Sequence, residues 1–213
     1  TNYPDGYFDV AIGNVPFGDY RVNDSVYNSH GFLIHDYFFA KTLDKLRAGG
    51  VAAYITTKGT MDKESTKVRE FLFKKAELLG AIRLPNTAFK NAGTKVTADI
   101  LFLQKREKEI ENPEWTTVTE DAQGFRINSY FVQHPEMILG TMQEISGPYG
   151  METTCVEKEG VPLGERLWAA ISHITGHIPE RVEEERAEFR YGEEQPTDAP
   201  DASEVRMYSC LLY

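Results

Sequence analysis

The first hydrophobic run of the chain, Val10-Ala11-Ile12 after Asp9, is short and ends on Gly13. Such a run reads as a buried strand entering a tight turn. Gly13 and Gly18 bracket that turn, where freedom in φ is expected. Residues 19–29 are polar without a clear period and read as a loop over the turn, either a mobile lid or an ordinary solvated loop. Phe32, Leu33, Tyr37, Ala40, Leu43 and Leu46 then recur at helical spacing, with Ser29 as the cap and Gly49-Gly50 as the stop. Val51 to Thr57 is the next strand, and helix, glycine stop, buried strand is the pattern of a crossover into a parallel sheet. Asp62 caps a second predicted helix running to Ala76. Its apolar face uses Val68, Phe71, Leu72 and Ala76, and its solvated face carries Lys63, Lys67, Arg69, Lys74 and Lys75. Leu78 to Leu84 predicts a third strand stopped by Pro85, residues 86–95 a loop, and Val96 to Gln104 a fourth strand.

The later chain is less patterned. Trp115 to Val118 reads as a short strand, and Ile127–Phe131 with Pro135–Gly140 as a short helix and turn packing back on the domain. Leu163 to Ile178 has helical spacing. His173 and His177 are four apart, but no glutamate lies between them and Gly176 weakens the helix, so no metal site is expected. Residues 180–206 are rich in Glu and Pro and read as a linker or disordered tail. The resulting division is 1–108 as the main α/β unit, 109–150 as an extension packing on it, and 151–213 as an acidic helical segment with a flexible tail. No internal repeat is visible.

Composition narrows the class. The chain has 213 residues and is 41% hydrophobic, enough for a real core. No apolar run approaches the ~20 residues needed to span a bilayer, and no secretory signal is visible. Cys155 and Cys210 make neither a disulfide framework nor a metal set, so a reducing cytoplasm is the expected location. The chain begins at Thr1, already close to a strand, and reads as a fragment of something longer. The net charge is −10, but residues 1–108 hold 16 Lys/Arg against 12 Asp/Glu, and residues 109–213 hold 7 against 21. A surface for phosphate therefore belongs to the first half. Lys58, leaving the second strand beside the first turn, is either a phosphate contact or a solvated lysine.

The chemistry concentrates in Asn14-Val15-Pro16-Phe17. Asn14 offers one acceptor oxygen and two N–H donors. Pro16 fixes its own φ and biases Val15 toward an extended conformation, which would aim the Asn14 side chain and the Val15 carbonyl at one point. Phe17 can lie flat against a planar ring held there. An amide, a carbonyl and an aromatic face suit a flat heterocycle with an exocyclic amine. Their place at the carboxyl end of a strand is where open α/β sheets bind ligands.

These four residues resemble the Asn-Pro-Pro-Phe/Tyr motif of amino-methyltransferases, above all the N6-adenine DNA methyltransferases. Val15 departs from the motif's first proline, but it keeps the carbonyl that the family uses as an acceptor. Leu79-Gly80-Ala81-Ile82-Arg83-Leu84-Pro85, Phe89 and Thr97-Ala98-Asp99-Ile100-Leu101-Phe102-Leu103 are similar to the back half of that catalytic domain. They most resemble the methylase modules of large helicase–methylase proteins of bacterial mobile elements and phage. The similarity covers residues 5–108 and, weakly, Ile127 to Met142. It implies an α/β fold: part of a Rossmann-like sheet, mostly parallel, with an antiparallel C-terminal hairpin and helices on its faces. It implies S-adenosylmethionine as cofactor, bordered by Asn14 and Pro16, and double-stranded DNA with a flipped adenine as substrate. Asn14, Val15, Pro16 and Phe17 would be the catalytic set. Phe17, Phe89 and Lys95 would meet the base or its strand, with a core-anchoring role for Phe89 as the alternative.

In that family the cofactor rests mainly on an earlier strand and glycine-rich turn. No G-x-G-x-x-G follows a strand here, so the rest of a larger polypeptide is the expected partner and the fragment alone is expected to be inactive. An RNA or protein-glutamine methyltransferase, and a non-catalytic DNA-binding remnant of the fold, remain open at this stage.

Overall fold

The structure, a computed structural model, describes residues 3–147 and 150–180. Its centre is a four-stranded sheet of β1 (Phe8–Asn14), β2 (Leu46–Thr57), β3 (Ala76–Leu84) and β4 (Ala98–Lys105), in the order β1-β2-β4-β3. β1 and β2 pair in parallel, and β4 runs antiparallel to both β2 and β3. Three strands therefore share one direction. Their carboxyl ends meet the start of β4 at a single edge.

Helix α1 (Ile34–Lys45) crosses from β1 to β2, and α2 (Gly59–Asp62) with α3 (Lys67–Lys75) crosses from β2 to β3. Phe39, Leu43, Leu72 and Phe73 of these helices join Leu46, Ala52, Tyr54, Ile82, Leu101 and Leu103 of the strands in the main core. Leu101 and Leu103 are fully buried. Truncating either to Ala costs about 2–5 kcal/mol. Val10 to Thr57 thus gives the crossover that its apolar spacing predicts.

Three boundaries differ from the sequence reading. α1 starts at Ile34 with Leu33 as an uncapped N-cap, because Ser29 sits in a separate 3-10 turn (Asn28–His30). Gly49-Gly50 does not stop the helix but lies within β2. There the register jumps from Phe8↔Leu46 to Val10↔Val51. Gly49 adopts φ +78°, and a Cβ on Gly50 would sit 2.9 Å from the Asp9 carbonyl oxygen. The pair is needed for a bulge and a close backbone approach. The helix expected from Asp62 to Ala76 begins only at Lys67, as α3; Asp62 instead ends α2, because Lys63 leaves the helical region at φ −56°, ψ 137°.

The remaining elements wrap the sheet. β5 (Val118–Glu120) and β6 (Arg126–Asn128) form a short antiparallel pair, followed by α4 (Ser129–Gln133). Phe131, Met137 and Leu139 from this stretch enter the main core. β7 (Gly140–Gly147) and β8 (Gly150–Glu157) form an antiparallel ribbon with no counterpart in the sequence reading. α5 (Leu163–Ile171) packs through Leu163, Leu167 and Ala170, and Ile174 lies against Gly80 of β3. Helical structure ends at Ile171, short of the Ile178 expected. The tail expected over 180–206 lies outside the described residues from 181 onward. No helix among the described residues is long and apolar enough to cross a membrane.

Candidate active site at the carboxyl end of β1

Register fixes the geometry. Asn14 is level with Ile55 across β2. Two residues on, Thr57 is level with Ala98, which in turn pairs with Leu84. The Asn14 turn, the start of α2, and both ends of the 85–97 loop therefore share one edge. At ~4.8 Å per strand, β1 lies about 10 Å from β4 and about 15 Å from β3.

The turn is built by anchoring one residue and leaving its neighbours open. Val15 is 2% exposed and belongs to the main core. Its N–H donates to the Ile55 carbonyl at 3.0 Å, which extends the ladder one residue past the strand. A proline here would lack that N–H. Valine thus holds the turn by a buried side chain and a ladder bond where the motif's usual residue would use ring rigidity. Asn14 is exposed, and its amide has no hydrogen-bond partner among the described residues. Pro16 is half-buried. Phe17 is 45% exposed and joins neither hydrophobic cluster.

The bracketing glycines serve differently from the expectation. Neither Gly13 nor Gly18 has a positive φ. What each needs is the missing Cβ. On Gly13 it would lie 3.1 Å from the Tyr54 ring, whose hydroxyl shares a 2.6 Å hydrogen bond with Thr42. On Gly18 it would lie 2.6 Å from the Tyr20 ring.

The other predicted site residues occupy the 85–97 loop. Phe89 packs against the main core and caps the 3-10 turn Lys90–Ala92. Lys95 is exposed. Both sit on the same edge as Asn14, two to three strand spacings away. The structure thus brings Asn14, Val15, Pro16 and Phe17 together in one turn and leaves Phe89 and Lys95 in the separate 85–97 loop.

Beneath this edge lies a charged network. Arg83 and Asp99, directly opposite in β3 and β4, form a bidentate pair with both contacts at 2.9 Å and no exposure. Arg83 also ion-pairs with Asp62 at 2.8 Å and lies over the Phe131 ring at 4.2 Å. Burial alone would lower the Arg83 pKa, but the charges of Asp99 and Asp62 more than reverse it and hold the guanidinium charged. Asp62 accepts the Asn128 N–H at 3.0 Å, which ties α2 to β6. A charge inside each of two apolar strand runs, at paired register, is the signal that could have exposed this pair.

Lys58 is not a freely solvated lysine. It donates to the carbonyl of Thr153 and, at 2.8 Å, to the Thr153 hydroxyl. Burial lowers its pKa. Thr154 meets Asn86 at 3.1 Å and Thr97 at 3.0 Å, and the Thr97 hydroxyl accepts the Cys155 N–H. Together these contacts seat the β7–β8 ribbon on the site edge. Arg69, read as part of a solvated basic face, is buried and donates to the carbonyls of Thr116, Thr60 and Lys63. Lys75 pairs with Asp44 at 2.9 Å. That face is therefore not an open cationic surface.

A second polar cluster lies under the 17–31 loop. His35 and Asp36 at the start of α1 are buried, and Lys63 reaches His35 Nε2 at 2.9 Å and Asp36 at 3.2 Å. Burial lowers the His35 pKa, and the Lys63 charge acts the same way against Asp36 and Asp19. Among the described residues no group of three or more His, Cys, Asp or Glu is placed to hold a metal.

An α/β sheet that presents an amide without a partner among the described residues, a residue held by its ladder N–H and an open ring at a strand tip has the form of a methyltransferase sheet. The family model for N-6 DNA Methylase matches residues 2–132, and the chain belongs to that family. It is similar to the Defense against restriction protein B of Escherichia phage P1, with 34% identity over 111 residues. That match takes 50% of this chain and 5% of the relative. The chain thus spans a small part of that protein's length. Partial structural likeness extends to a putative class I S-adenosylmethionine-dependent methyltransferase from Listeria monocytogenes, with 23% identity, 54% of this chain, 36% of that chain and TM-score 0.41. It extends also to the type I restriction enzyme EcoKI M protein, with 14% identity, 81% of this chain, 49% of that chain and TM-score 0.40.

Proposed function

We propose that this chain is the amine-gripping part of a DNA methyltransferase acting on the N6 amine of adenine. The observation that carries the reading is the open Asn14 amide beside the exposed Phe17 ring, on a turn pinned by buried Val15. A duplex base must leave the stack to reach such a turn. The Asn14 side-chain oxygen and the Val15 carbonyl accept the two amine hydrogens. That draws the nitrogen lone pair out of the ring and turns it toward an electrophile. Phe17 stacks on the extruded base, a contact worth ~1–3 kcal/mol by analogy with single-strand binding. Positioning of this kind is the main contribution the protein makes to a direct displacement.

The family's cofactor is S-adenosylmethionine, which supplies a methyl group on a sulfonium. Asn14 and Pro16, open at the strand tip, fit contact with its methyl-bearing end. Among the described residues no G-x-G-x-x-G turn follows a strand to hold its adenosine. β1 has no neighbour on its outer side among the described strands, and Ile12 on it is 51% exposed. A parallel strand is normally covered on both faces. Both features support a larger catalytic unit, completed by the rest of the same polypeptide on the β1 side.

The test is product analysis. The complete protein is incubated with labelled S-adenosylmethionine and duplex DNA, RNA or protein, and the products are digested and separated by mass. Label in N6-methyladenine from DNA supports the reading. Label confined to RNA or to glutamine side chains would move the chain to the related chemistry, and binding without transfer would make it a scaffold.

A further inference from the structure

The loop after the motif holds a second exposed ring. Tyr20 is 56% exposed, more than Phe17. Its neighbours that hold the loop are buried instead: Tyr27 and Phe32 form a small cluster with Ala40, and Ile34 is also buried. Tyr20 belongs to neither hydrophobic cluster, so the fold does not use its ring for packing. Yet the ring rests against the chain. It lies directly on the Gly18 backbone, where a Cβ would meet it at 2.6 and 2.8 Å. Its carbonyl accepts the Ile34 N–H at 2.9 Å, which pins the residue to the start of α1. A glycine and a backbone anchor thus place a large ring largely in solvent, three residues after Phe17.

A solvent-facing aromatic ring has one strong use beside a nucleic-acid site, which is to stack on a base. We infer that Tyr20 is a second stacking platform, taking a base that adjoins the extruded adenine. The inference rests on the function proposed above and adds a positioning residue to it. Two sources can supply that base: the partner left unpaired opposite the target, or the next base on the target strand. Both present the same π-face. Tyr20 needs no hydrogen-bond readout for this role, so phenylalanine should replace it.

The experiment uses the complete protein and 2-aminopurine, a fluorescent adenine analogue that brightens when unstacked. It is placed in turn at the target, opposite it, and at the adjoining position. The wild type should brighten the probe at the target, which gives up two stacked base neighbours for the single Phe17 ring, and quench it at one of the other two positions, and that position identifies the source. Tyr20→Ala should abolish the quench, keep the brightening at the target, and weaken duplex binding about tenfold. Tyr20→Phe should behave as wild type. Gly18→Ala, which displaces the ring without removing it, should reproduce Tyr20→Ala. Wild-type behaviour of both Tyr20→Ala and Gly18→Ala, with the target still brightened, would overturn the role of Tyr20 alone. No response to the probe at any position in the wild type would instead overturn base extrusion, and this inference with it.

Discussion

At the residue scale, the turn separates holding from binding. Val15 holds, and its environment makes a test of the family departure. Val15→Pro deletes the N–H that reaches Ile55, so it should cost about 0.5–1.5 kcal/mol in thermal or chemical unfolding while leaving methyl transfer close to wild type. A large loss of transfer without a loss of stability would show that the valine has a chemical role. Arg83 is the opposite case, a buried charge with no contact to the site surface. Arg83→Met leaves Asp99 and Asp62 without their counter-charge and should destabilise the fold by about 3–5 kcal/mol, measured by denaturant unfolding. Cys155 is buried and its thiol is pushed up to about 12 by that burial. It should resist alkylation at pH 8 in the native protein and react once unfolded, as read by peptide mass analysis.

At the element scale, α1 opens on the buried His35–Asp36–Lys63 cluster, and this makes stability depend on pH. His35 is buried with its pKa held below the usual 6.5. The unfolded chain therefore binds a proton at a pH where the folded protein does not. Stability should be full above pH 6.5 and fall as the pH drops below it, until the folded-state pKa is passed. Tm measured between pH 7.5 and 5 should decline, and His35→Gln should flatten that part of the decline. An unchanged slope would place the titrating group elsewhere.

The elements also show what was legible beforehand. β1, β2, β3 and β4 are apolar runs, and β-branched runs bounded by breakers can be read directly. The Gly49-Gly50 bulge was not legible, because a glycine pair after a helical pattern reads the same whether it ends the helix or kinks the next strand. The β7–β8 ribbon was missed for a different reason. Most of residues 141–146 and 150–153 face solvent, so no period-two hydrophobic signal marks it. Lys58 and Arg69 misled because their residue types belong to surfaces, and only tertiary contacts reveal that their charges are spent on carbonyls.

At the whole-molecule scale, one edge of the sheet collects the motif turn, the 85–97 loop and the base of the ribbon, and among the described residues β1 has no strand on its other side. The motif residues were readable because their chemistry sits in four consecutive positions. The polar contacts that seat the ribbon were not, since Lys58, Asn86, Thr97 and Thr154 are joined only by folding. Thr97→Val removes the hydroxyl that meets both Thr154 and the Cys155 N–H. Hydrogen exchange in β8 should rise in that variant while β2 and β4 stay protected. Equal exchange in both proteins would show that the ribbon is held by other contacts.

The central claim is that the Asn14 amide grips the amine that is methylated. Its most direct test compares wild type with Asn14→Ala in the complete protein, measuring methyl transfer to duplex DNA beside the unfolding midpoint of each. Asn14 is exposed and unpartnered among the described residues, so stability should change by less than about 0.5 kcal/mol. Transfer should fall at least about a hundredfold, as when a single polar group that stabilises a transition state is lost. Transfer at the wild-type rate by a folded Asn14→Ala protein would contradict the account.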